Sequence, residues 1–152
     1  MQQKDILIND FTDPAFEMAF KRYFADIGVN VRDWDRLFSE MNSEERNLAY
    51  MRFDEDDIPI GFIQFTIMSF SSWFFKTEIG FIREFWVEHK HRGQGHGSAL
   101  LHLAEEYFIG KGVHKAILTT DTAEDFYVRL GYKKDVDIAA KNNDPVFIKS
   151  LS

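Results

Sequence analysis

The stretch Glu84–Ser98 reads EFWVEHKHRGQGHGS, and it decides the fold. It opens on Phe85, Trp86 and Val87, which are bulky or β-branched and read as the end of a strand. A short cationic loop with Lys90 and Arg92 follows, and then a glycine-spaced turn, Arg92-Gly93-Gln94-Gly95-His96-Gly97. A helical pattern starts at once, with Ala99, Leu100, Leu101, Leu103, Ala104, Tyr107 and Phe108. Glycines let a backbone turn tightly and approach a ligand closely. The free amides of a first helical turn point outward, and the helix dipole favours negative charge there. Strand, glycine turn and helix start together predict a site for a phosphate.

This loop lacks the Gly-Lys-Ser/Thr that closes a nucleotide-hydrolase loop, and its glycines at 93, 95 and 97 do not space as a dinucleotide fingerprint does. It resembles the hallmark of the GNAT family of acetyl-CoA-dependent N-acetyltransferases, Gln/Arg-x-x-Gly-x-Gly/Ala between a central strand and a helix. Arg92, Gly95 and Gly97 fill that pattern. Downstream, Ala123-Glu124-Asp125-Phe126-Tyr127-Val128-Arg129-Leu130-Gly131-Tyr132 looks like the same family's second signature. Only its first position departs: Thr120 stands where asparagine is usual, which puts that contact to the cofactor in doubt.

The resemblance covers nearly the whole chain, residues 1–152, as one domain, although specific motifs lie only within 84–132. It implies a mixed α/β sheet in the order β-α-α-β-β-β-α-β-α-β-β, and acetyl-CoA as co-substrate. By the same resemblance, the amides of Arg92, Gly93, Gln94, Gly95, His96, Gly97 and Ser98 hold the pyrophosphate. The backbone of Phe85, Trp86 and Val87 pairs with the pantetheine arm and polarises the thioester, with Thr120 and Phe126 beside the cofactor. Tyr127 is the proton donor to the leaving thiolate, a group whose free-thiol pKa is near roughly 8.5. An amine must be neutral to attack, so a carboxylate has to bind the ammonium and take its proton. Glu84 is the first candidate. Glu78, of the same parity and so on the same side of a regular strand, is the second. Arg83 falls on the opposite face.

Composition limits the alternatives. The 152 residues suit one domain with a full core, and the sixteen phenylalanines make that core or a pocket aromatic-rich. No cysteine is present, which excludes disulfides, thiol catalysis and Cys-ligated metals and fits a reducing cytoplasm. A net charge of −7 argues against a nucleic-acid surface and is compatible with a cationic amine. Ile58–Phe75 carries no charge, but its proline, glycine and β-formers read as two strands with a serine turn, not a membrane span. The N-terminal MQQKDILIND has no apolar signal core. His89, His91 and His96 are expected to face phosphate or solvent, and His102 and His114 the surface. No histidine spacing fits a zinc site, and the acidic run Asp54–Asp57 reads as a hairpin tip.

In order, the patterns predict a strand at 4–8 and a helix capped by Asp13 with Pro14 first, ending at Gly28. A second helix follows at about Val31–Met41, with strands at Leu48–Phe53, Ile60–Met68 and Glu78–Glu88. The phosphate helix runs to about Ile109. A strand at Val113–Thr119, a short helix at Ala123–Leu130, a strand from Gly131 toward Ile138 and a strand at Pro145–Leu151 complete the chain. The loop Ser69–Lys76 holds Trp73, Phe74 and Phe75, which either wall the substrate, contact a second copy or fold into the core. The leading function is acetyl transfer to the primary amine of a small molecule. Transfer to a protein amine, a longer acyl donor and a non-catalytic CoA-binding module are the alternatives. No nucleic-acid or membrane partner is expected, and a homodimer is in keeping with the family.

Overall fold

The computed structural model describes residues 4–44 and 46–152. Its elements are β1 (Lys4–Ile8), α1 (Pro14–Asp26), α2 (Trp34–Ser43), β2 (Leu48–Phe53), β3 (Pro59–Ser71), β4 (Lys76–Val87), α3 (His96–Gly110), β5 (Lys115–Thr119), α4 (Glu124–Arg129), β6 (Lys133–Asp135) and β7 (Val146–Ser150), with a 3-10 turn at His89–His91. This is the order read from the sequence. The strands form one sheet, β1-β2-β3-β4-β5-β7-β6. All its pairs are antiparallel except β4 with β5.

Local chemistry sets the helix starts. Asp13 accepts from the amides of Ala15 and Phe16 at 2.9 and 3.2 Å, with Pro14 in the first turn. Gly28, at φ 73°, ends that segment in a left-handed turn. The second helix begins at Trp34, later than the apolar spacing suggests, because the Asp33 carboxylate caps it through the Arg36 amide at 3.0 Å. β3 and β4 run further toward each other than expected, pairing up to Ser71↔Lys76, and Ser72–Phe75 forms the turn.

Two cores lie on opposite faces of the sheet. One packs α3 and α4 on β3, β4, β5 and β7 around Ile63, Phe65, Ile82, Leu100, Phe108 and Leu118. The other packs α1 and α2 around Phe11, Phe16, Phe20, Phe38, Phe62 and Trp86. Many of the phenylalanines meet in this second core: Phe16 lies 4.9 to 6.2 Å from the rings of Phe11, Phe20, Phe38 and Phe62.

The central strand is irregular where it matters. Ile63 pairs with Phe85 but Phe65 pairs with Ile82, so Arg83 and Glu84 together oppose Gln64. This β-bulge reverses the strand's facing. Gly80 and Ile82 turn to α3, whereas Glu84 and Trp86 turn to α1. Glu78 and Glu84 therefore do not share a face, and the parity expected for a regular strand fails. Arg83 joins Glu84 on the α1–α2 side, where it pairs with Glu44.

Candidate active site

A cleft of about 1340 Å³ opens where β4 and β5 part. The two strands pair only at Gly80↔Ala116 and Phe81↔Ile117. Among the described residues, no strand pairs with β4 beyond Phe81 on that side. The backbone of Glu84–Val87 is thus an open edge that an extended ligand can join as a strand would.

The glycine turn forms one wall. Gly93 and Gly95 sit at φ 77° and 87°, conformations costly to residues with a side chain. Gly95 is the N-cap of α3 and no side chain caps that end, so the first-turn amides of His96, Gly97 and Ser98 have no intrahelical acceptor. At Gly97 a Cβ would lie 3.4 Å from the Phe126 ring and 3.8 Å from Phe85. These two rings meet edge to face at 6.1 Å and shape the cleft beside the loop.

Arg92, Gly93, Gly95, His96, Gly97, Ser98, Phe85, Trp86, Val87, Thr120, Phe126, Glu84 and Tyr127 all line this one cleft. Gln94 does not: it is exposed, and its amide turns back to the Lys90 carbonyl at 3.4 Å. Arg92 spans the end of the strand through Nε to the Val87 carbonyl at 2.9 Å. Trp86 lines the cleft, but its indole is buried toward α1 and donates to Asp26 at 2.8 Å. The Thr120 hydroxyl accepts from the Ala123 amide at 3.1 Å and so shapes the turn into α4.

Tyr127 is 7% exposed, so its ring is buried against the cleft and not displayed on the surface of α4. Burial pushes its pKa up to about 12, so the hydroxyl stays protonated and can donate at neutral pH. Among the described residues it has no hydrogen-bond partner. Glu84, by contrast, is engaged: the Tyr23 hydroxyl of α1 donates to it. Tyr23 has its own pKa raised, by burial first and then by the charge of Glu84. Glu78 lies in another place, bonded to Arg46 and Ser69 at 2.6 and 2.7 Å and outside the cleft. Those hydrogen bonds hold its carboxyl below the usual range.

The His96 ring does not face solvent. It is 5% exposed, and Nδ1 lies 3.1 Å from Nη1 of Arg52, which is itself locked to Asp5 at 2.8 and 2.9 Å. Burial first, and the nearby Arg52 charge second, lower the His96 pKa, so the ring is neutral at neutral pH. Among the described residues no group of histidines and acids could hold a metal. Likewise no helix among them is long and apolar enough to cross a membrane.

Sequence reasoning missed Tyr23, Asp26 and Ile27 at the end of α1, and Asn142 and Asp144 before β7, all of which line the cleft. Tyr23 carried a signal: a hydroxyl on an apolar helix stripe needs a partner. The aromatic loop neither folds into the core nor walls this cleft. Trp73 and Phe74 are 100% and 93% exposed, and no residue of Ser69–Lys76 lines the cleft.

The family profile described as Acetyltransferase (GNAT) family matches residues 7–132. The chain belongs to the GNAT acetyltransferase family. It is by that membership an acetyltransferase, and so an acyltransferase. No curated protein matches it significantly. Among solved structures it is similar to a GNAT-family acetyltransferase from Staphylococcus aureus, with TM-score 0.74, 14% identity and 99% and 100% of the two chains covered. It is similar as well to Arabidopsis thaliana NAA60 in complex with acetyl-CoA, with TM-score 0.73, 14% identity and 99% of each chain covered. A third is the aminoglycoside acetyltransferase meta-AAC0020 from an uncultured soil sample, in complex with sisomicin, with TM-score 0.67, 14% identity and 84% of each chain covered. The glycine turn, the free α3 amides and the open β4 edge fit a cofactor with a pyrophosphate and an extended amide-bearing arm.

Proposed function

We propose that this acetyltransferase moves the acetyl group of acetyl-CoA onto the primary amine of a small molecule, by direct attack with both substrates bound. The observation that carries the reading is the convergence of Glu84, Tyr127 and the glycine turn on one cleft. Acetyl-CoA supplies the activated thioester. The α3 amides hold its pyrophosphate, and the β4 backbone near Phe85–Val87 polarises the carbonyl.

The acceptor arrives as an ammonium. Glu84 binds it and takes one proton, directly or through water. The neutral nitrogen attacks the carbonyl carbon, the C–N bond forms, and the C–S bond breaks with its electron pair on sulfur. Tyr127 gives its proton to that sulfur. The second proton, lost from nitrogen as the amide forms, replaces the one Tyr127 gave.

A small cationic acceptor is favoured by the acceptor mouth, where Asp26 and Glu84 both line the cleft and neither is in an ion pair with a described residue. The test is thiol release from acetyl-CoA against small amines and N-terminal peptides. Turnover with a small amine supports the reading. Turnover with peptides alone moves it to a protein amine, and cofactor binding without any turnover moves it to a binding module.

A further inference from the structure

The β3–β4 turn is a point of bare aromatic rings. Trp73 and Phe74 stand 100% and 93% exposed and Phe75 60%, with Phe75 stacked on Phe70 at 5.4 Å between ring centroids. The backbone beneath the rings is closed on itself. The Ser72 amide donates to the Phe75 carbonyl at 2.8 Å, and the Ser72 hydroxyl accepts from the Phe74 and Phe75 amides at 3.2 and 3.3 Å. From Ile58 to Phe75 there is no charged residue. A segment that leaves water for an apolar medium must bring its polar groups already bonded, and this tip does so at the amides of Ser72, Phe74 and Phe75.

Positive charge lies behind the tip. A hollow of about 440 Å³ joins the start of β4 to the turn between α3 and β5, lined by Lys76, Thr77, Glu78, Gly112, His114 and Lys115. Residues 69–77 and 110–115 hold three lysines and no acid, in a chain of net charge −7. Among the described residues, Lys111 and Lys115 stand in no ion pair. The acid of the hollow, Glu78, is already matched by Arg46 at 2.6 Å and lies 3.9 Å from Lys76.

We infer that this end of the molecule docks on an anionic lipid surface, with Trp73, Phe74 and Phe75 entering the bilayer boundary and Lys76, Lys111 and Lys115 meeting the phosphates. Indole and phenyl rings favour the water–lipid boundary, and lysine stems reach from it to the headgroups. Taking about 200 Å² per aromatic side chain, the exposed part of the three tip rings amounts to roughly 500 Å². That is short of the ~800 Å² each partner gives to a standard protein interface, and it is carried on a point rather than a face. The net charge speaks against a membrane for the chain as a whole, but the charge of this end has the opposite sign, and screening limits the rest to about 10 Å. The candidate active-site cleft stays clear of the lipid. Glu84 lies eight residues up β4 from Lys76, on the order of 25 Å away.

The test is co-sedimentation of the wild-type chain with vesicles of phosphatidylcholine alone and of phosphatidylcholine with phosphatidylglycerol, at low and at physiological salt, with tryptophan emission read in parallel. The expected result is binding to the mixed vesicles, weaker in salt, with a blue shift of the emission from the exposed Trp73. Trp73→Ser/Phe74→Ser should lose that shift and about tenfold or more in affinity. Lys111→Gln/Lys115→Gln should lose about tenfold on the mixed vesicles. All four side chains are exposed, so both variants should keep the parent's circular dichroism and its thiol release from acetyl-CoA in solution. No binding to mixed vesicles at low salt overturns the inference, as does binding that neither variant weakens. Equal binding to both vesicle types overturns the choice of an anionic surface. A chain that binds no vesicle but self-associates through Trp73 overturns it as well, and gives the tip to a second copy.

Discussion

In the proposed mechanism Tyr127 and Glu84 divide the proton work, and each can be tested alone. Replacing Tyr127 with Phe removes one oxygen from a buried ring, so packing is kept while the donor is lost. The kcat should fall about a hundredfold, with acetyl-CoA affinity unchanged by calorimetry. Tyr23→Phe removes the hydroxyl that holds the Glu84 carboxylate. The KM for the amine should then rise several-fold with a smaller change in kcat, because the loosened group is the one proposed to bind the ammonium. Tyr127 and Glu84 were singled out by position, one within the second motif and the other just ahead of Phe85. Tyr23 was not, since a helix stripe shows which residues are apolar and not which one meets a carboxylate 61 positions away. Nor was the true placement of Glu78: one extra residue at Arg83–Glu84 reverses the facing of everything beyond it, and alternation alone carries no sign of a bulge.

Two devices hold the elements around the cleft. Glu105 of α3 receives the Tyr132 hydroxyl at 2.7 Å and the Lys149 ammonium at 3.0 and 3.1 Å, tying the phosphate helix to β7 and to the end of the second motif. Glu105→Ala leaves the buried Tyr132 hydroxyl and the half-buried Lys149 ammonium without their acceptor, so stability should fall by about 1–3 kcal/mol in a urea titration. On the other face, Phe16 is fully buried among four aromatic rings. Phe16→Ala should cost more, about 3–5 kcal/mol, with loosened α1 raising the amine KM before it affects acetyl-CoA binding. Most element positions were legible from apolar spacing and caps, as at β2 and α1. The reach of β3 and β4 was not, because strand length there is set by mutual pairing across Ser69↔Glu78 and Ser71↔Lys76, not by local preference.

The molecule as a whole joins two aromatic-rich cores through one sheet, and its buried tyrosines give it a characteristic pH dependence. Tyr23, Tyr127 and Tyr132 all have raised pKa values, each with burial as the first cause. In the unfolded chain they ionise near 10, in the folded chain later, so the unfolded state releases its protons first. Their contribution is therefore intact below about pH 10 and is lost as pH rises through 10 to about 12, the Tyr127 value, and beyond for the other two. Melting temperatures measured between pH 8 and 12 should fall steeply only above about 10. A chain that loses stability evenly from pH 8 would not be governed by these groups. Family and fold were legible at this scale because the two motifs sit in order at a fixed separation. The acceptor was not, since the cleft's far wall comes from residues such as Asp26 and Asp144 that no pattern links. The central claim is that Glu84, Tyr127 and the glycine turn make one acetyl-transfer site, and single-turnover thiol release from acetyl-CoA with a panel of small amines tests it most directly. The expected result is amine-dependent release by the wild type, reduced about a hundredfold in Tyr127→Phe with acetyl-CoA still bound. Equal release by wild type and Tyr127→Phe would contradict the assignment of the proton donor, and no acetyl-CoA binding at all would contradict the site.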